Sequence, residues 1–291
     1  MQQTIVGASL VLLTGALAAP ARAQTEFGVD LGLFSAYVFR GLSYTNKPVA
    51  QPAVYLSIPV GNASVTVGGW SNIDIGKYDD PNDDLSESGG TSSFNFAELD
   101  PYGEVSVPVG KATLTGGVLG YIYPNTTPNG VAGLTTEFNT VELYGKAAVD
   151  LPLSPQLSLY YDIDKIKGAY LEASISHSLQ AGENVSVDLG ALAGFSAGQD
   201  ANLDAAGNPR AKFFNFVDNG LTHLDLSAGV SFSAAALSFA PALHFVINSD
   251  AATKVTSPSH LDKDVKLWGG VTISWSKALG PEPEPTEADK P

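Results

Sequence analysis

An alternation of apolar and polar residues with a period of two constrains this chain more than any other feature. It recurs in twelve segments: 26–39, 51–60, 63–75, 94–107, 112–123, 138–149, 156–163, 168–179, 185–196, 221–233, 236–248 and 265–276. Side chains alternate across a strand, so each segment reads as a strand with one apolar face, and helical periodicity is nowhere convincing. The stretch "YLSIPVGNASVTVGGW", residues 55–70, is typical. Val54, Leu56, Ile58 and Val60 share one face, as do Val65 and Val67, and Gly61-Asn62 between them marks a two-residue hairpin. The opposite faces carry Tyr55 and Ser57, then Ser64, Thr66 and Trp70.

The connections sort by parity. Those at 61–62, 110–111, 151–155, 180–184 and 234–235 are tight, whereas those at 76–93, 124–137, 197–220 and 250–264 are long, with 165–167 the one short connection on that side. Transmembrane barrels show this pattern, with an even strand number, short periplasmic turns and longer outside loops. A soluble sandwich has no reason to sort its loops so. The fold class expected is therefore all-β, a transmembrane antiparallel β-barrel of about 12 strands with short periplasmic turns, long extracellular loops and apolar faces against lipid. In 26–39 the outward set would be Phe27, Val29, Leu31, Leu33, Tyr37 and Phe39; in 236–248 it would be Leu237, Phe239, Leu243, Phe245 and Ile247. Aromatic girdles would comprise Phe27, Phe232 and Trp275 toward the periplasm, and Phe39, Tyr161 and Phe195 toward the outside. Pro101 and Pro241 fall inside expected strands, where a missing backbone donor predicts a bulge.

Composition agrees. Charged residues make up 15% of the chain, against roughly 25% in soluble domains. A soluble all-β protein guards its sheet edges with Lys and Glu, and this chain does not. The formal net charge of −15 argues against nucleic acid as a partner. With no cysteine, disulfides, thiol catalysis and Cys-ligated metals are excluded. Residues 1–23 hold an apolar run ending in Ala21-Arg22-Ala23, the A-x-A form of a secretory cleavage site, so a signal peptide precedes a mature chain from Gln24. The barrel would span 24–276, and "KALGPEPEPTEADKP", 277–291, reads as a disordered periplasmic tail.

Five blocks, "SAYVFRGLSYTNKPVAQPAV" (35–54), "AELDPYGEV" (97–105), "YIYPN" (121–125), "VELYGKA" (141–147) and "GAYLEASISHSL" (168–179), in this order resemble the TorF family of bacterial porins. The resemblance covers the mature chain to Ser276 and is carried most specifically by the first block. It implies an outer-membrane barrel of channel function and supplies no substrate. The fifteen residues after Ser276 depart from the usual outer-membrane ending on an aromatic.

The polar positions of the alternation give the candidate pore-lining residues: Glu26, Asp30, Arg40, Glu98, Asp100, Tyr102, Glu142, Tyr144, Lys146, Tyr170, Glu172 and Asp225, with Glu104, Asp162 and Lys266 on the same parity. Most are acidic, and a lumen of this sign raises the local cation concentration. The expected function is passive diffusion of small hydrophilic solutes or ions, preferring cations, through a lumen that is open rather than plugged. No cofactor and no metal is expected, since no histidine has an H-x-x-x-H partner. The partners expected are outer-membrane lipid and lipopolysaccharide. "GFSAG", 194–198, matches the G-x-S-x-G nucleophile motif but leads into a loop, not a helix, so a lipid-acting hydrolase using Ser196 is the second reading. An adhesin or structural barrel acting through its outer loops is the third. The acidic stretch "DDPNDDLSES", 79–88, lacks EF-hand spacing and reads as a solvated outer loop.

Overall fold

The computed structural model describes residues 24–80, 83–87, 93–124, 139–199, 216, 219–249 and 264–280. Fourteen strands follow in chain order: β1 Thr25–Phe34, β2 Tyr37–Phe39, β3 Leu42–Thr45, β4 Val49–Val60, β5 Ala63–Asp74, β6 Asn95–Val109, β7 Ala112–Tyr121, β8 Thr140–Val149, β9 Gln156–Asp162, β10 Ala169–Gln180, β11 Val185–Ala197, β12 Gly220–Ala234, β13 Leu237–Asn248 and β14 Val265–Leu279. Twelve of them close an antiparallel barrel in the order β1-β14-β13-β12-β11-β10-β9-β8-β7-β6-β5-β4, while β2 and β3 form a separate two-stranded sheet. Each of the twelve periodic segments supplies one barrel strand, the first of them only as far as Phe34.

Alternation sorts the faces as expected. Val54, Ile58, Val67, Leu143, Leu159, Leu189, Leu226, Leu243, Phe245 and Leu267 are all exposed on the outer wall. An apolar band of this extent is compatible with lipid and not with water. Inward positions of the same strands are polar and buried, as with Asn72, Glu98, Glu142, Asp162 and His244. Near the end of the wall that carries the short turns, Phe27 meets Trp275 edge to face at 6.2 Å and Phe232 stacks on Phe239 at 5.2 Å, which supplies one girdle. Tyr161 and Phe195 stay outward near the other end.

The tight turns explain their own sequences. Val60 pairs with Ala63 and Val109 with Ala112, and the first loop residue, Gly61 or Gly110, takes φ near +65°. A positive φ at the first central position is the II′ hairpin turn, which accounts for Gly preceding Asn. Ala235 occupies the same position in the β12–β13 turn, at φ +55°.

The prolines correct one expectation. Around Pro101, Pro241 and Pro52 the ladder to one neighbour is interrupted, yet the register on both sides of the gap is unchanged. A proline removes one donor without adding a residue, so the strand continues in step. The shifts in the barrel ladders instead fall between Asn72 and Ile73 and between Gly194 and Phe195. The last strand also runs on to Leu279, paired with Thr25, so 277–279 belong to the wall and not to a tail; 281–291, and 1–23 where a signal peptide is expected, lie outside the described residues.

Candidate functional site

The largest departure from expectation is at the first outer connection. Segment 26–39 does not run straight; β1 ends at Phe34, and the chain turns inward to form the β2–β3 hairpin, whose Tyr37, Val38, Phe39, Arg40 and Leu42 are all at most 5% exposed. Tyr37 and Phe39 therefore face the lumen and not lipid, and Phe39 is no part of a girdle. The alternation persisted through this stretch because a second short strand carries its own period of two. Arg40, expected in strand one, sits at the hairpin tip.

The tip has demanding geometry. Phe39 pairs with Leu42 across Arg40 and Gly41, both at positive φ, +50° and +83°, which makes a I′ turn. A side chain at Gly41 would lie 2.6 Å from the His223 ring, so this position needs glycine for its backbone and for space. Arg40 carries its positive φ without that freedom, a strain that persists only where contacts over-determine it.

Those contacts are dense. The Arg40 guanidinium donates two parallel bonds to Glu142 on β8, at 2.8 and 2.7 Å. It lies over the rings of Tyr170 at 4.2 Å, Tyr160 at 4.9 Å and Phe39 at 4.9 Å. The Tyr121 hydroxyl donates to the same Glu142 carboxylate at 2.8 Å. One residue on, the Gly41 carbonyl accepts from Lys266 Nζ on β14 at 2.6 Å. In a ring of twelve strands β8 and β14 are six places apart, so the tip is tied to opposite walls. Val38 packs against Val246 and Trp268 on the β13–β14 side, and Tyr37 donates to Glu98 on β6 at 2.9 Å. Tyr123 donates to the other oxygen of Glu98, at 2.8 Å.

A second layer fastens the hairpin's base. Thr45 Oγ1 donates to Asp74 at 2.9 Å, and Ser86 Oγ donates to the other oxygen of Asp74 at 2.7 Å. Residues 83–87 of the β5–β6 connection lie along Asn46: its backbone amide donates to Leu85 O at 3.1 Å, its side-chain amide to Asp83 O at 2.7 Å, and its Oδ1 accepts from the Leu85 amide at 2.9 Å. Glu87, buried in this layer, accepts from Asn72 Nδ2 at 2.8 Å. Burial pushes the Glu87 carboxyl well above the usual carboxylate range, with the charges of Glu98 and Asp74 adding to it. Lys47 closes the layer with an ion pair to Asp84 at 2.6 Å.

The lumen thus divides into two zones. At the hairpin level Asp100, Glu142 and Tyr170 are 0% exposed, so the hairpin fills the lumen around them, in place of the open lumen expected. Toward the short-turn end the inward groups Glu26, Asp30, Tyr102, Ser57, Thr66, Asp188 and Ser274 are half-buried and line a wet cup. Between the zones Tyr144 donates to Glu104 at 2.8 Å, Lys146 stands 3.8 Å from the same carboxylate, and Glu172 is buried beside them. Asp225 pairs with His244 at 3.1 Å, and that imidazole stacks on Trp268 at 4.2 Å. All twelve candidate lining residues point into the barrel, although Arg40 does so from the hairpin. The alternation missed Thr45, Asp74, Tyr121 and Tyr160, of which the last three lie on inward parity and could have been read from it.

Other sequence motifs do not assemble. Ser196 of "GFSAG" lies within β11, faces inward and is buried, without the strand-to-helix turn a nucleophile elbow needs. His177 is exposed on the outer face, and His260 lies outside the described residues. No group of three potential metal ligands comes together among the described residues. The stretch 79–88 is described except at 81, 82 and 88, and its described part forms the clamp on the hairpin.

This architecture, a closed twelve-strand barrel with a greasy exterior, a polar interior and an inward hairpin across it, is that of an outer-membrane β-barrel. The chain belongs to the Gcw_chp family, bacterial proteins of unknown function, whose model matches residues 18–266. No curated protein matches it in sequence. Among solved structures, the COG4313 outer membrane channel from Pseudomonas putida F1 is similar over 89% of this chain and 97% of its own, at 11% identity and TM-score 0.54. Outer membrane phospholipase A from Escherichia coli aligns over 92% of this chain and 96% of its own, at 8% identity and TM-score 0.41. At 11% identity the likeness to the channel extends to the fold alone, and a fold does not by itself fix an activity.

Proposed function

We propose that this protein is an outer-membrane channel for small hydrophilic solutes or ions, gated by the β2–β3 hairpin and preferring cations. One observation carries the reading: among the described residues, a wet, acidic cup on the periplasmic side is covered on its outer side by the short β2–β3 hairpin and its clamp at 83–87, held by identifiable side-chain contacts. A barrel built only as a scaffold has no need of a polar, half-hydrated lumen, and apolar packing would fill it more stably. The resemblance to the TorF family of bacterial porins supports the same conclusion. Export through a cleaved leader at 1–23, and insertion among lipid and lipopolysaccharide, belong to this reading.

The cation preference follows from charge. Glu26, Asp30 and Asp188 face the cup, and among the described residues the inward cations of the wall and hairpin tip, Arg40, Lys146 and Lys266, are engaged with Glu142, Glu104 and Gly41 O respectively. The test is a planar-bilayer recording under a KCl gradient, using folded barrel whose gel mobility changes on boiling. Replacing 36–47 by a short Gly-Ser turn between Phe34 and Val49, which already pair, should give steady conductance with a cation-sign reversal potential. The further changes Asp30→Asn and Asp188→Asn should move that potential toward zero. A folded, hairpin-less barrel that stays silent would defeat the channel reading. Steady current with an anion-sign potential would defeat only the preference.

A further inference from the structure

The Arg40 pocket has the make-up of a ligand site. Among the described residues, four consecutive barrel strands contribute to it, Tyr121 on β7, Glu142 on β8, Tyr160 on β9, and Tyr170 with Glu172 on β10, beside Phe39 of the hairpin and Phe216, which stacks on Tyr170 at 5.8 Å. Some of these groups also touch one another directly, besides their contacts with the hairpin. Tyr121 orients the Glu142 carboxylate, and Tyr160 packs between Tyr144 at 5.8 Å and Tyr170 at 6.3 Å. A carboxylate presented edge-on for two parallel bonds, with tyrosine faces alongside, matches a planar guanidinium and discriminates against a compact ammonium. The occupant reaches it only through a tip whose arginine takes a strained positive φ.

From this, and resting on the gated-channel reading, we propose that the β7–β10 wall is a binding site for guanidinium-bearing solutes, that Arg40 is its tethered occupant, and that a competing guanidinium solute displaces Arg40 and releases the hairpin. The solute enters from the outside, where the long connections lie. Once its head group sits on Glu142, the hairpin loses its tie to β8, and the tip is left with the bonds to β6 and β14 and the packing of Val38, while the base stays fastened to Asp74 and residues 83–87. The plug would then be a lock opened by the class of solute the channel passes.

The experiment uses methylguanidinium chloride as probe and methylurea as its neutral counterpart, on folded protein in detergent by titration calorimetry. Arg40→Ala vacates the site without touching the wall. It should bind methylguanidinium at millimolar concentration and methylurea not at all. Wild type should bind at least about twofold more weakly, because the tether keeps Arg40 at an effective concentration of millimolar or more, comparable with the dissociation constant of the probe. Arg40→Ala combined with Glu142→Gln should lose the binding. No saturable binding to folded Arg40→Ala, or equal binding with and without Glu142→Gln, would overturn the proposal. In bilayers the same probe should increase wild-type current. Binding without any current, including from the hairpin-less barrel, would defeat the channel reading and leave the site standing. Current through the hairpin-less barrel without binding to Arg40→Ala would do the reverse.

Discussion

Glu142→Gln is the most direct test of what holds the hairpin in the lumen. In the wild type two charge-assisted bonds at 2.8 and 2.7 Å join Arg40 to a carboxylate with no solvent exposure. Removing one partner of a buried ion pair costs about 3–5 kcal/mol, because the other charge is left uncompensated. Glutamine keeps one oxygen, which can still accept from Tyr121 or Arg40, so the lower end of the range applies. At 1.4 kcal/mol per tenfold, about 3 kcal/mol shifts the ratio of docked to released hairpin by roughly 150-fold toward release. The barrel itself should be spared, since the β7–β8 and β8–β9 ladders that carry Glu142 are backbone pairings. The assay is open probability in planar bilayers at fixed voltage, with unchanged gel mobility of the unboiled barrel as the control for folding. A correctly folded Glu142→Gln barrel with wild-type open probability would refute the view that this pair is the principal fastening.

Further outcomes are expected elsewhere. Gly41→Ala would place a side-chain carbon 2.6 Å from the His223 ring at a φ of +83°; the hairpin should leave its seat and open probability rise, whereas an unchanged recording would mean the tip tolerates a shift. Ala235→Gly relieves a positive φ in the β12–β13 turn and should stabilise the barrel by about 1 kcal/mol, read as a higher urea midpoint. Glu87, raised by burial first and by Glu98 and Asp74 next, binds its proton more tightly in the docked clamp than when released. The clamp is therefore favoured at low pH and loses that contribution as pH rises above the usual carboxylate range toward the raised value. Hydrogen-exchange protection factors at residues 83–87, taken relative to the intrinsic rate at each pH, should fall over that interval in the wild type and stay flat in Glu87→Gln; a matching profile in both would reject the assignment.

Much of the molecule could be read from the alternation. All twelve wall strands, the parity of the turns, the lipid band and the inward set lie in residues whose period is strictly two, where a one-residue slip would place every apolar side chain on the wrong face. The inward hairpin could not be read that way. Tyr37 and Phe39 keep the same period as Leu31 and Leu33, and only the reversal at Ser35-Ala36 sends them into the lumen. The clue was Arg40-Gly41, a residue pair suited to a tight turn in the middle of an apparent strand. Long-range partners such as Asp74 for Thr45 were beyond pattern reading, because nothing local records which inward groups share a level of the barrel. The prolines misled for the opposite reason: a missing donor interrupts one ladder without demanding an extra residue.

The hairpin's fastenings also dictate when it can settle. Arg40 and Glu142 are 102 residues apart in the chain, and Gly41 and Lys266 are 225 apart. Lys266 lies on β14, the last strand in chain order and the one that closes the seam with β1. A nascent or partly inserted barrel therefore holds a hairpin tied on one side at most. Contacts of such separation form late, since closing the intervening loop must come first. The plug is in this sense a record of completion: its tip can bridge the lumen only after the last strand has arrived, so a barrel arrested short of closure would be a leaky one.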